Sequence, residues 1–208
     1  MFKLSRQNND FYGEREDLIM GQRSQIFVRY EDNGDNKEII ARYFGWNYSE
    51  RMISRVRYGI EWILENIEYK FNIKKKMHRI LETNFDMIDV VISADILEEF
   101  KDYDWECTLN EYMFETQANN DGKCLIDITS NGIIKYAFLD SANEKIMNAS
   151  EYMDWDCDID WKTPNQYREQ EMINTCITNI TEIEKMAVLM SEEDVKEFMQ
   201  HDYSYLIE

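Results

Sequence analysis

The sequence predicts an α+β fold: an N-terminal β-hairpin and long helix, a central antiparallel β-meander, and C-terminal helices. Three observations predict it. Two β-rich runs, "QIFVRY" (25–30) and "EIIARYF" (38–44), flank the turn-forming "EDNGDNK", which is a hairpin signal. The run "SERMISRVRYGIEWILENIEYK" (49–70) carries Met52, Val56, Ile60, Ile63 and Ile67 at helical spacing. From residue 107 onward the apolar period becomes two, and strong turn dipeptides divide the chain.

Taken in order, residues 1–19 are polar and poorly patterned, and Met20 is read as a real or alternative start that makes them dispensable. After the hairpin, Ser49 is the expected cap of the long helix. Arg51 and Arg55 are expected to share an exposed face, with Arg57 elsewhere. These arginines are read as pairing with acidic residues, within the chain or in a homo-oligomer, in preference to binding nucleic acid. "KKKMHRILETNF" (74–85) reads as a second helix with a basic start, and "DMIDVVISADILEEF" (86–100) fits either a buried strand or a helix. "CTLNEYMFET", "KCLIDITS" and "IIKYAFLDS", joined by "QANNDG" and "NG", are the expected three-stranded meander. Thr163-Pro164, with Gln166 completing a capping box, is expected to open a helix running to about residue 180. Ser191 then starts a last short helix, "EEDVKEFMQ".

Composition limits the function. The 208 residues are 44% hydrophobic and 13% aromatic, which is a folded composition despite a formal charge of −19. No apolar run approaches the roughly 20 residues of a membrane span, and no basic-then-apolar signal opens the chain. The reading is a soluble, intracellular, cytoplasmic protein. Residues 1–83 hold 15 Lys and Arg against 13 Asp and Glu, whereas residues 84–208 hold 8 against 29. The segments are therefore a near-neutral 20–85 and an acidic 86–208, possible parts of one domain. Such acidity repels nucleic acid and membranes and attracts basic grooves.

Catalytic equipment is sparse. Cys107, Cys124, Cys157 and Cys176 form no CxxC pair, and His78 and His201 are the only histidines, so no zinc pattern and no hydrolytic triad emerges. No phosphate loop of the GxxxxGK[ST] type is present. The expectation is a non-enzyme without a cofactor or metal.

One stretch stands out. In "YMDWDCDIDW" (152–161), Asp154, Asp156, Asp158 and Asp160 alternate with Trp155, Cys157, Ile159 and Trp161. The Asp-x-Asp-x-Asp opening resembles an EF-hand loop, but Ile159 stands where the sharp-turn Gly belongs and Asn165 where the bidentate Glu belongs. As a strand, the stretch would place all four Asp on one face and the apolar residues on the other. An extended loop pinned by its aromatics is the alternative. The candidate partner-binding residues are Asp154, Trp155, Asp156, Asp158, Asp160 and Trp161, with Trp105 a further anchor.

The segments "MGQRSQIFVRY" and "ARYFGWNYSERMISRVRYGIEWI" resemble the opening of small proteins carried by phages and prophages of Firmicutes. The resemblance covers roughly residues 20–65 and brings no catalytic residues. Small, acidic, aromatic-rich phage proteins resemble, as a class, anti-CRISPR and anti-restriction proteins. That class implies binding to a bacterial CRISPR effector or related nuclease, often in its nucleic-acid channel. An acidic structural or regulatory interaction protein is the alternative reading, and a metal-dependent enzyme using the Asp154–Asp160 row is the third.

Overall fold

The computed structural model describes residues 22–31, 37–66, 73–82, 92–102, 105–116, 119–157 and 160–207. The expectations for residues 1–19 and Met20, the tail of the long helix past Asn66, residues 86–91, the His78 side chain and Asp158 lie outside what it describes. The fold is α+β, as expected.

The strands are β1 (Arg23–Glu31), β2 (Lys37–Gly45), β3 (Ile92–Asp95), β4 (Lys123–Ile128), β5 (Ile134–Leu139), β6 (Ile146–Met147) and β7 (Val188–Leu189). They form one mixed sheet in the order β3-β2-β1-β4-β5-β6, with β7 beside β5. The β1–β2 hairpin is antiparallel as expected, and so are β4–β5 and β5–β6. The β1–β4 and β5–β7 pairs are parallel. The near-neutral and acidic segments therefore share one sheet.

Helices cover both faces. On one side lie α1 (Ser49–Asn66), α2 (Ile73–Glu82), α5 (Ala149–Asp156) and α6 (Gln170–Met186). Their apolar residues, among them Val56, Ile60, Leu81, Tyr152 and Ile183, meet Ile26, Val28, Ile126 and Phe138. On the other side lie α3 (Ile96–Lys101), the short α4 (Leu109–Glu111) with its π-helical continuation Tyr112–Thr116, α7 (Glu192–Gln200) and a 3-10 turn (Ser204–Leu206). There Phe114, Val195, Phe198 and Tyr203 pack on Phe27, Leu125 and Leu139. Because side chains alternate along a strand, covering both faces buries a central strand throughout its length. β1 shows this from Ser24 to Tyr30.

Three expectations are corrected. Residues 109–116 are helical, because Thr108 and Glu111 form a capping box that starts α4. The meander is therefore completed by β6 rather than opened by that segment. The helix expected at Thr163-Pro164 begins at Gln170. The Thr163 hydroxyl donates to Asp160 Oδ2 at 2.8 Å instead of capping, and residues 165–168 close a small turn. Arg55 is not on an exposed face: it is fully buried, donates to Asn47 Oδ1 at 2.9 Å, and lies over the Phe44 ring.

The second face of the sheet is not purely apolar. Arg29, 2% exposed, stands opposite Asp127 in the parallel β1–β4 register. Its Nε and Nη2 donate to the two Asp127 oxygens at 2.8 Å each, and Nη2 also donates to Glu197 at 2.6 Å. The Phe198 ring lies 4.5 Å from the guanidinium carbon. Burial alone would lower the Arg29 pKa, but the bonds to Asp127 and Glu197 raise it above its ordinary value. Lys135 pairs with Asp194 at 2.6 Å. Helix α7 thus docks through Val195 and Phe198 and, beside them, through Asp194 and Glu197 against the cations of the sheet.

Removing one partner of a buried ion pair costs about 3–5 kcal/mol. Asp127→Ala should fall near the lower end, because Glu197 stays beside Arg29. Lys37→Met, which removes only the more exposed Lys37–Glu197 contact, should cost less than about 1 kcal/mol. Urea unfolding of the two variants measures the contrast, and equal losses would show that the Arg29–Asp127 pair has no special weight.

Candidate partner-binding surface

Residues 152–156 form a helix and no strand, and Asp154 and Asp156 do not share a face. Asn148 and Glu151 make a capping box that starts α5, so residues 152–156 follow a helical period. Tyr152 and Met153 turn inward, fully buried. Asp154 turns outward and accepts the Trp161 Nε1 hydrogen bond at 2.7 Å, with Lys162 Nζ at 3.9 Å. Trp161 is 2% exposed and belongs to the core. Trp155 is half-buried and packs on Tyr152. A Cβ on Gly122 would approach the Trp155 ring to 3.1 Å and clash with the Leu139 carbonyl oxygen, and Gly122 has φ +78°, so this position requires glycine. The Trp105 ring meets Tyr112 at 4.4 Å, tilted by 43°.

Asp156 has a structural task. It accepts hydrogen bonds from Ser49 N and Oγ at 2.7 and 2.6 Å. Ser49 is the first residue of α1 and is held at φ +43°. The expected roles are thus reversed: Ser49 donates, and the Asp156 carboxylate occupies the N-terminus of α1, where the free N–H groups and the dipole favour an anion. Beside it, Arg168 pairs with Glu50 at 3.0 Å and reaches Cys157 Sγ at 3.6 Å. Asp160 accepts from Lys162 N and Thr163 Oγ1, and these bonds hold its carboxyl below the ordinary range. Of the candidate residues that the structure describes, Asp154 and Asp160 alone stand exposed.

The exposed charge concentrates elsewhere. Glu98, Glu106, Glu111, Glu115, Glu144, Glu192 and Glu193 are all exposed, as are Glu169, Glu171 and Glu184 along α6. In contrast, Arg29, Arg42, Arg55 and Lys123 are buried. Lys123 donates to the Ser141 carbonyl at 3.4 Å and to Asn143 Oδ1. Burial lowers its pKa to about 8, against the opposing pull of Asp140 and Glu115. Four cations are thus buried, while among the exposed charges of the described residues after 84 carboxylates outnumber cations. Sequence reading of "SEEDVKEF" found a helix start there but missed its outward glutamates as a surface. The capping-box spacings Thr108–Glu111 and Asn148–Glu151 were the available signals for both misread segments.

His201 caps the end of α7 and packs against Tyr203 at 4.8 Å. The four cysteines are free thiols. Among the described residues, no group of three His, Cys, Asp or Glu side chains stands together as metal ligands would. No described helix is long and apolar enough to cross a membrane.

Asp121 is buried next to this corner, accepts from Arg23 N, and feels the nearby Asp156 charge. Burial and then Asp156 push its pKa up to about 7, against the opposing Arg23 hydrogen bond. The unfolded carboxyl titrates near 3.9. The folded state therefore binds more protons between these values, and this group's share of stability is lost as pH rises from about 4 through about 7. Asp121→Asn should gain melting temperature relative to the wild type between pH 5 and pH 8 (about one unit above the folded pKa). A difference that stays constant across this range would show that Asp121 ionises freely.

Compared with protein-family models, with curated proteins and with solved structures, the chain has no match in any of the three.

Proposed function

We propose that this chain is a phage-type inhibitor that binds a bacterial nucleic-acid-processing defence complex, a CRISPR effector nuclease foremost, and blocks nucleic-acid binding through its acidic surface. One observation carries the reading: Arg29, Arg42, Arg55 and Lys123 are buried while the exposed charges of the second half are overwhelmingly carboxylates. A CRISPR nuclease holds its guide–target duplex in a positively charged channel and reads a short motif with arginines. A rigid body presenting carboxylates competes for that channel. The resemblance of residues 20–65 to phage and prophage proteins supports the same reading, in which the protein acts in the cytoplasm of an infected bacterium.

The carboxylates act as a distributed field rather than as a row. Asp154 and Asp160 belong to that field, whereas Asp156 and Trp161 support the fold. Carboxylates on helices are sparser than duplex phosphates, which carry one charge per about 1.7 Å of axis. The field therefore steers association, and packing at the contact has to supply the rest.

The test is DNA binding by purified guide-loaded effector nucleases, measured with increasing amounts of the chain. The inhibitor reading predicts competitive loss of DNA from at least one effector. The effect should weaken as salt rises, since exposed charges are screened over about 8 Å at physiological ionic strength. Unchanged DNA occupancy across the panel at micromolar chain would overturn it.

A further inference from the structure

A groove of about 680 Å³ opens between the π-helical turn, the loop before β6 and α7. Phe114, Met190 and Met199 are among the apolar residues lining it, and Glu115, Glu144 and Glu192 are its acidic ones. Lys196 is the one cation among the lining residues, which leaves a net negative charge around an apolar surface. Among the described residues the carboxylates of these three glutamates make no hydrogen bond or ion pair, while the Glu144 N–H donates to Asp140 Oδ1 at 2.7 Å and the Glu115 charge helps to hold up the Lys123 pKa. One wall is fixed: Asn143 donates to the Phe114 carbonyl at 3.1 Å, receives Lys123 Nζ, and is held at φ +61°.

We infer that this groove receives a short arginine-bearing segment of the partner protein, with the guanidinium among Glu115, Glu144 and Glu192 and the aliphatic stem on the methionines. The inference rests on the inhibitor reading and names the contact it would use. Charge complementarity selects a cation, and the apolar lining selects one with a long hydrocarbon stem. Arginine fits better than lysine because its guanidinium is more weakly hydrated and forks onto carboxylates. Methionine supplies polarisable, adaptable contact surface. The volume lies within the range of about 300–1,000 Å³ typical of ligand pockets, so a few residues fit rather than one atom group. Arginines that line a nucleic-acid channel meet this description, and seating one here would withdraw it from DNA.

The probe is a fluorescent Gly-Arg-Gly-Arg-Gly peptide, with a citrulline version as its neutral isostere, titrated into the full chain. With methyl-labelled methionine, the Met190 and Met199 signals should shift, while Met52 and Met77, across the sheet, should not. Citrulline should weaken binding by about tenfold or more, the scale of losing a charge-assisted contact. The triple variant E115Q/E144Q/E192Q should lose about as much, and the control E65Q/E169Q/E184Q, equal in charge change and exposed on α1, at the N-cap of α6 and on α6, should stay within about twofold. Equal weakening in both variants, or shifts at Met52 and Met77 instead, would overturn the groove and leave the general acidic-surface reading standing. A groove that takes the peptide while no effector loses DNA would uphold this site and overturn the inhibitor reading.

Discussion

The structure depends on the parallel pairing of β1 with β4. This contact joins residues about a hundred apart in sequence, and it places Arg29 directly opposite Asp127. A strand in the middle of a sheet covered on both faces has no exposed side, so a charge on it must be matched where it stands. Asp127 matches Arg29 from the neighbouring strand, and Glu197 matches it from α7. The ion pair thus aligns the two strands and recruits the helix that closes the second face. An apolar pair could pack as well, but it would not single out this register or this helix by charge.

The same arrangement explains how a polarised sequence becomes an acidic surface. The near-neutral first segment directs three of its arginines inward: Arg29 to Asp127, Arg42 to Ser93 and Asp95, and Arg55 to Asn47 and Phe44. Acidic residues that answer them, such as Asp194 and Glu197, lie on the inward side of α7, and Glu192 and Glu193 lie on its outer side. Helix α7 therefore has a paired acidic face and a free one. The paired face fixes its position, and the free face sets the potential that a basic partner would meet. Structure and proposed function draw on one helix.

Local signals were legible where they agreed with the long-range fold. The 31–37 turn residues and the flanking β-branched runs announced the β1–β2 hairpin, the helical spacing announced α1, and Asn131-Gly132 announced β4–β5. Ser191 was found as the cap of α7, and it does accept from Asp194 N. Failure came where two local signals competed. In 152–161 the alternation of Asp with apolar residues suggested a strand, but Asn148 and Glu151 had already started a helix. Thr163 had cap spacing, yet Asp160, three residues earlier, takes its hydroxyl. The burial of Arg55 and the parallel β1–β4 pair were not legible at all, because each is decided by partners distant in sequence. The candidate surface was legible as an excess of charge and not as an address.

Hydrogen–deuterium exchange on a complex of the chain with a captured effector nuclease tests the central claim most directly. The account predicts protection within the nuclease's basic nucleic-acid channel and, on this chain, at α7 and the loop before β6. Protection confined to a neutral surface of the nuclease, with the channel still exchanging freely and still holding DNA, would contradict it.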